Sequence, residues 1–239
     1  MKFLFSFGLV FVIGFFEPVD KNYLLGKFNP EQDARFSRLD GEHTSGSARG
    51  GVLRKEAYDA FIKMAEAAKK EGIQLVIISA TRNFESQKRI WENKWNGKVI
   101  VEGKNLTTFK NPLERAKIIL HYSSMPGSSR HHWGTDMDLN SLDNAYFESG
   151  DGLKMYQWLQ VRASEYGFCQ PFTSKADSRT GYEEEKWHWS YWPLSKEFLE
   201  QYMKNVRYED FGGFDGSQTA SEIGIIENYV AGVACGKDR

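Results

Sequence analysis

Apolar positions recur at helical spacing through much of the chain. From Leu53 to Ala68 they fall on one side of a helix, and Gly72 is placed to end it. Further helices are indicated by residues typical of helix ends: Asn83 as an N-cap, Pro112 at a first helical position, and Gly167 directly after a last turn. The predicted helices span about residues 54–71, 84–95, 112–122, 153–166 and 195–205.

Short runs with strand character separate these helices. The β-branched run Gln74–Ser79 and the aromatic run Trp187–Trp192 are both bounded by turn or polar residues, so each predicts a strand. A third strand should carry Met137 and Asp138, directly after Gly134. We interpret residues 53–205 as a single domain.

Four segments lie outside this regular pattern. Residues 19–52 are polar and turn-rich, which predicts an extended lead-in draped over the domain. Residues 96–110 are typical of an insertion or hairpin, and residues 173–184 of a mobile surface loop. The tail, residues 206–239, regains apolar positions near its end and is expected to pack back onto the domain.

The first eighteen residues have the pattern of an export signal. Lys2 precedes an unbroken apolar run from Phe3 to Phe16, which is long enough for a signal peptide and short of the about 20 residues that a spanning helix needs. No small-residue cleavage signature follows, so an uncleaved N-terminal anchor is the alternative. We therefore expect a periplasmic or otherwise envelope-associated protein that meets the membrane only through this segment.

Composition narrows the class of partner. The net charge of −1, with 26% charged residues, gives no reason to expect nucleic acid or an anionic membrane surface as a partner. Export would make Cys169 and Cys235 candidates for one disulfide, although two separate buried thiols fit the sequence equally well.

Two segments carry the candidate chemistry. Ser128–Asn140 holds two histidines and two aspartates, and in Glu185–Tyr191 a carboxylate precedes a histidine by three positions. A hydrolytic zinc ion needs three nitrogen or oxygen ligands and one open position, and a carboxylate beside it can move protons. Spacing alone does not choose between the adjacent histidines 131 and 132, nor between the aspartates 136 and 138, which share a strand face.

Residues 129–138, SRHHWGTDMD, contain the pattern SxHxxGxxxD; residues 185–188, EKWH, contain ExWH; and residues 79–87, SATRNFESQ, contain SxxRxxxxQ. These three strings resemble the motifs of the zinc D-alanyl-D-alanine carboxypeptidases of the VanY type. The order of the three is the family's order, and the likeness covers residues 53–199.

The resemblance implies a fold class and a set of site residues. The fold would be α+β, a small antiparallel sheet flanked by helices, as in hedgehog-type and related peptidoglycan peptidases. The family positions make His131, Asp138 and His188 the ligands of Zn²⁺, Glu185 the catalytic acid/base and Arg82 a catalytic and substrate-binding arginine. Gln87 and Ser129 are further residues that could bind substrate. Asp136 departs from the pattern, because the family usually has a small residue at this position.

Two physical considerations refine these assignments. A planar guanidinium holds a terminal carboxylate through two parallel hydrogen bonds, which suits Arg82 to a carboxypeptidase. Asp136 could orient a ligand histidine or be a solvated strand residue, and the sequence leaves both open.

The sequence thus predicts an exported, monomeric zinc carboxypeptidase that removes a C-terminal D-alanine from peptidoglycan stem peptides. The alternatives are an L,D-carboxypeptidase, a dipeptidase or an endopeptidase acting on the same cell-wall peptides. Outside enzymes, a non-catalytic zinc-containing cell-wall binding module would have the same fold, although the predicted carboxylate of Glu185 beside the ion argues against it.

Overall fold

The structure of the chain, a computed structural model, describes residues 19–177 and 179–236. The predicted signal or anchor, residues 1–18, lies outside the described residues. Within the described part, no helix is both long and apolar enough to cross a membrane.

The described residues form seven α-helices and six short strands. The helices are α1 (Lys21–Leu24), α2 (Lys55–Lys70), α3 (Phe84–Trp95), α4 (Pro112–Ile119), α5 (Gly150–Arg162), α6 (Trp192–Asn205) and α7 (Ala220–Ile223), followed by a π-helical segment, Ile225–Val230. The strands are β1 (Phe36–Arg38), β2 (Val52–Arg54), β3 (Ile77–Ser79), β4 (Asp136–Leu139), β5 (Phe168–Cys169) and β6 (His188–Tyr191).

The central sheet is antiparallel and has the strand order β3-β4-β6-β5. Side chains of a strand alternate between its two faces. Met137, Leu139 and Trp189 lie on the face that packs into one apolar core with residues of α2 and α5. The other face carries the polar side chains of the candidate site.

The predicted α+β fold is confirmed, and the five predicted helices are found with ends that differ by a few residues. Asn83 and Asn111 cap α3 and α4 with their side chains, as their positions in the sequence suggested. α5 is the clearest difference: it ends at Arg162, and a 3₁₀ turn, Ala163–Tyr166, continues to Gly167.

Residues 19–52 differ from the predicted extended cover, because they contribute to the core. Tyr23 and Leu24 are buried, and β1 pairs with β2 in a separate two-stranded sheet. The Tyr23 hydroxyl donates to the carbonyl of Trp133 at 2.7 Å, and the Trp133 indole donates to the carbonyl of Leu24 at 3.1 Å. The lead-in therefore fixes the backbone just before β4.

The tail packs against the rest of the described chain. Ile225, Ile226 and Val230 are buried in the second apolar core, which also holds residues of α3, α4 and α6. A disulfide joins Cys169 in β5 to Cys235, which decides between the two alternatives left open by the sequence. The tail is thereby linked covalently to the edge strand of the central sheet.

This disulfide should contribute substantially to stability. We expect the double variant Cys169→Ser/Cys235→Ser to unfold about 10 °C below the parent, because a bridge across 66 residues corresponds to about 4 kcal/mol of denatured-state loop entropy. Differential scanning calorimetry measures the difference. Reductant should lower the unfolding temperature of the unsubstituted protein and leave that of the double variant unchanged. Equal unfolding temperatures for the oxidised unsubstituted protein and the variant would contradict the stabilising role of the disulfide.

Candidate active site

The register of the central sheet brings the two sequence segments together. Asp138 in β4 lies opposite His188 in β6, and Ser79 in β3 lies opposite Asp138 on the other side. His131 comes from the 3₁₀ turn Arg130–Trp133 that precedes β4. The sheet thus places an imidazole and a carboxylate from the middle of the chain beside a second imidazole from its later part.

Gly134 makes the turn between His131 and β4. Its φ is +72°, in the left-handed region that favours glycine, and a Cβ at this position would lie 2.3 Å from the Phe36 ring. A larger residue would therefore displace either β1 or the turn that carries His131.

His131, Asp138 and His188 form a compact cluster of potential ligand atoms, all within 4.8 Å of one another. His131 Nε2 lies 3.3 Å from Asp138 Oδ1, and His188 Nδ1 lies 3.4 Å from the same oxygen. Neither His131 Nε2 nor Asp138 Oδ1 has a hydrogen-bond partner, although both are buried. Such buried polar atoms normally have a partner, so this convergence fits a cation.

The two adjacent histidines have different surroundings. His131 Nδ1 donates to the carbonyl of Ala80 at 2.8 Å, which leaves Nε2 free to face Asp138. His132 uses both nitrogens: Nδ1 donates to the carbonyl of Arg82 at 2.5 Å, and Nε2 accepts from the Gly127 amide at 3.0 Å. Burial lowers the pKa of His132 to about 3, so it stays neutral. The geometry therefore favours His131 over His132 as a possible metal ligand.

Asp136 is fully buried, so the alternative of a solvated strand residue is wrong. Its Oδ2 lies 2.9 Å from His188 Nε2 and 2.9 Å from Arg130 Nε. Its Oδ1 accepts from the hydroxyls of Thr135 and Ser190. This carboxylate therefore turns His188 so that Nδ1 faces Asp138, the arrangement in which an outer carboxylate orients a ligand histidine.

Burial and neighbouring charges shift the pKa values of the site residues in opposite directions. Burial disfavours the charged form of Asp138, but the imidazoles of His131 and His188, together with Arg82, hold the pKa of this carboxyl below its usual range. Burial also lowers the pKa of His188, yet its hydrogen bonds to Asp136 and Glu185 raise it to about 9. The surroundings of the cluster thus favour positive charge at its centre.

Glu185 lies beside the cluster and outside it. Its Oε2 is 3.0 Å from His188 Nδ1. Its backbone is held on both sides: the Glu185 amide donates to the carbonyl of Phe172, and the Glu185 carbonyl accepts from the side-chain amide of Gln170. Burial raises the pKa of Glu185, while the hydrogen bond with His188 lowers it. A carboxyl with a raised pKa is suited to accept a proton and then to donate it.

The cluster forms the floor of a cleft with a volume of about 430 Å³. Arg82 and Gln87 line this cleft, as their predicted roles require, whereas Ser129 is buried at the start of the 3₁₀ turn and does not belong to its lining. Arg82 donates to Ser79 Oγ at 2.7 Å and lies 3.6 Å from Asp138 Oδ2. Gln87 donates to the carbonyl of Ser124 at 2.8 Å.

The cleft also contains residues that the motifs did not indicate. Tyr182 comes from the segment predicted as a mobile loop, and Lys94 comes from the last turn of α3. Lys94 follows Gln87 by seven positions, so helical periodicity could have placed both on one face. Tyr182 had no comparable signal, because its segment is irregular.

Comparisons with known proteins show which proteins this chain resembles. A family model described as VanY, D-alanyl-D-alanine carboxypeptidase, matches residues 51–194. The carboxypeptidase-named protein YodJ of Bacillus subtilis (strain 168) is 34% identical over 184 residues. This match covers 72% of the present chain and 58% of that protein, so the chain spans less than two thirds of its relative.

Two solved structures share the fold. One is the vancomycin-resistance D,D-pentapeptidase VanY in complex with Zn(II), with a TM-score of 0.51, 20% identity, and coverage of 76% of this chain and 91% of that chain. The other is the LD-carboxypeptidase LdcB, with a TM-score of 0.52, 23% identity, and coverage of 85% and 81%.

The family model covers more than half of the chain and all three motifs of the site. The residues that it covers include the His131, Asp138 and His188 cluster, the carboxylate of Glu185 and the arginine at the cleft wall. The chain belongs to the VanY family of D-alanyl-D-alanine carboxypeptidases.

Proposed function

We propose that the chain is a zinc-dependent D-alanyl-D-alanine carboxypeptidase that trims peptidoglycan stem peptides. The observation that carries the proposal is the convergence of His131 Nε2, Asp138 Oδ1 and His188 Nδ1 beside the unligated carboxylate of Glu185. Two imidazoles and one carboxylate are a typical ligand set of hydrolytic zinc, and the cleft leaves one side of the cluster open. A purely structural zinc site has no need of Glu185.

The residues around the cluster divide the chemistry of peptide hydrolysis between them. A bound zinc ion would supply Lewis-acid polarisation of the scissile carbonyl and would make a water molecule more acidic. Glu185 accepts the proton of the attacking water and delivers it to the leaving amine. Its side chain is buried beside His188 and lines the cleft, where both the water and the leaving amine would lie.

Arg82 is the proposed anchor for the terminal carboxylate. Its guanidinium is about a quarter exposed and borders the cleft beside Asp138. Arg82 Nε is buried and has no hydrogen-bond partner, so the guanidinium is not fully paired within the protein. A carboxylate held here would fix the peptide so that its last peptide bond lies over the cluster.

The chain is proposed to act outside the cytoplasm, with residues 1–18 as a signal peptide or an anchor. The basic start and the apolar run from Phe3 to Phe16 support export. The disulfide between Cys169 and Cys235 also supports it, since such bonds persist mainly in oxidising compartments.

Mass spectrometry of muropeptide products tests the activity. Zinc-loaded protein should convert pentapeptide stems to tetrapeptides with release of one D-alanine, and a chelator should stop the reaction until zinc is added back. Conversion of tetrapeptides to tripeptides would instead indicate an L,D-carboxypeptidase. Loss of two alanines together or cleavage of cross-links would indicate a dipeptidase or an endopeptidase, and binding without any chelator-sensitive cleavage would indicate a binding module.

Removing the acid/base should separate catalysis from metal binding. We expect Glu185→Gln to bind zinc with a stoichiometry near that of the parent and to lower kcat by about 10²–10⁴-fold, because the amide cannot take up a proton. Zinc content by atomic emission and turnover of a stem pentapeptide are the two measurements. The neighbouring Glu184→Gln, outside the cleft lining, is the matched control; an active Glu185→Gln would remove this residue from the mechanism.

Asp136 should strengthen zinc binding through His188. We expect Asp136→Asn to weaken zinc affinity by about 10–100-fold, because an amide aligns and polarises the imidazole less well than a carboxylate. Competition with a chromophoric chelator measures the affinity. The substitution also leaves Arg130 buried without its counter-ion, so Arg130→Met/Asp136→Asn is the control. If the double variant recovers parental affinity, the effect belongs to the unpaired arginine and the orienting role is wrong.

A further inference from the structure

Helix α3 forms one wall of the cleft over most of its length. Gln87, Ile90 and Lys94 lie on its inner face, with spacings of three and four residues, and all three line the cleft. Arg82 lines the same cleft just before the helix begins. The cleft therefore has a guanidinium at the end near the metal ligands and an ammonium further along the same wall.

Lys94 is a partly buried cation without a carboxylate partner among the described residues. Its ammonium donates to Ser123 Oγ and forms no ion pair there. Burial lowers its pKa, and the positive charge of Arg82 lowers it further. The nearby carboxylates are engaged elsewhere, since Glu185 bonds to His188 and Glu102 bonds to His121.

A partly desolvated ammonium is stabilised when an anion lies beside it. Lys94 faces the cleft, so a bound ligand could bring that anion to it. The side chain of a helical residue leans towards the helix N-terminus, so the ammonium of Lys94 reaches back along α3 towards Arg82. The ten residues from Phe84 to Lys94 rise about 15 Å along the helix axis, and a side chain that reaches back by about one turn, about 5 Å, leaves the two cations about 10 Å apart along the wall. This distance is the span of about three extended residues.

We infer that Lys94 binds a second carboxylate of the substrate, on a residue two positions before the C-terminus. With Arg82 on the terminal carboxylate, the spacing places this second carboxylate on the third residue of a stem pentapeptide. The favoured substrate class is a peptide with a diamino-dicarboxylic acid at that position and its carboxylate free, rather than amidated or replaced by lysine. The direction of the peptide in this inference rests on the proposed function.

Two pentapeptides that differ only by a carboxylate or a carboxamide on the third residue test this site. Binding is measured by isothermal titration calorimetry on the zinc-loaded Glu185→Gln protein, in which turnover does not interfere. We expect the free acid to bind about tenfold more tightly than the amide, as one charge-assisted contact provides. Adding Lys94→Met should reduce this ratio to about one, and Lys94→Arg should retain most of it.

Lys88→Met is the matched control. Lys88 lies on α3 but outside the cleft lining, within 3.8 Å of Glu92, so its removal should leave the ratio unchanged. A ratio near one in the Glu185→Gln protein itself would overturn the inference. So would an equal loss of affinity for both peptides in Lys94→Met, since the residue would then act on a group that the two peptides share.

A third peptide, amidated at its C-terminus, separates the two carboxylates. Lys94→Met should preserve the preference for the free C-terminus, because Arg82 provides that contact; loss of this preference would assign Lys94 to the terminal carboxylate and overturn the inference. The two proposals fail separately. If the unsubstituted protein binds these peptides without cleaving them, the proposed function is wrong, while the ratio of acid to amide still decides the role of Lys94.

Discussion

The antiparallel register of β4 and β6 is the constraint on which the site depends. It places Asp138 opposite His188 and Asp136 opposite Ser190, all on one face of the sheet. A slip of one residue would turn these polar side chains into the apolar core and expose the other face. That core, packed between the sheet and helices α2 and α5, therefore fixes the register and with it the ligand geometry.

Burying several carboxylates at one place is costly unless cations accompany them. Arg130 is the counter-ion of Asp136, and its second nitrogen, Nη2, reaches Ser190 at 2.8 Å. Arg82 lies 3.6 Å from Asp138, which is a looser pairing. The raised pKa of His188 reflects the same demand for positive charge, and a divalent ion at the cluster would meet it with the histidine neutral.

Local patterns predicted the helices and motifs because the information for them lies within a few residues. Asn83 and Asn111 were recognisable as caps, and the spacing from His131 to Asp138 was visible in a single string. The role of Asp136 could not be predicted from a local pattern, because its partner Ser190 is 54 positions away and is brought near only by the sheet. The buried lead-in was missed for the same reason: the bond from Tyr23 to the Trp133 carbonyl spans 110 positions.

The two adjacent histidines connect the candidate metal cluster to Arg82, the proposed anchor of the substrate. His131 faces the cluster, and its carbonyl accepts the Arg82 amide at 3.2 Å, while His132 holds the Arg82 carbonyl from the other side. The ring of His132 packs where a Cβ on Gly26 would lie only 2.5 Å away, so the lead-in also limits its movement. Both the amide and the carbonyl of Arg82 are therefore hydrogen-bonded to the turn that carries His131. Such a connection fixes the distance between the proposed substrate anchor and the candidate metal cluster, and a fixed geometry of this kind is what holding a substrate in position for reaction requires.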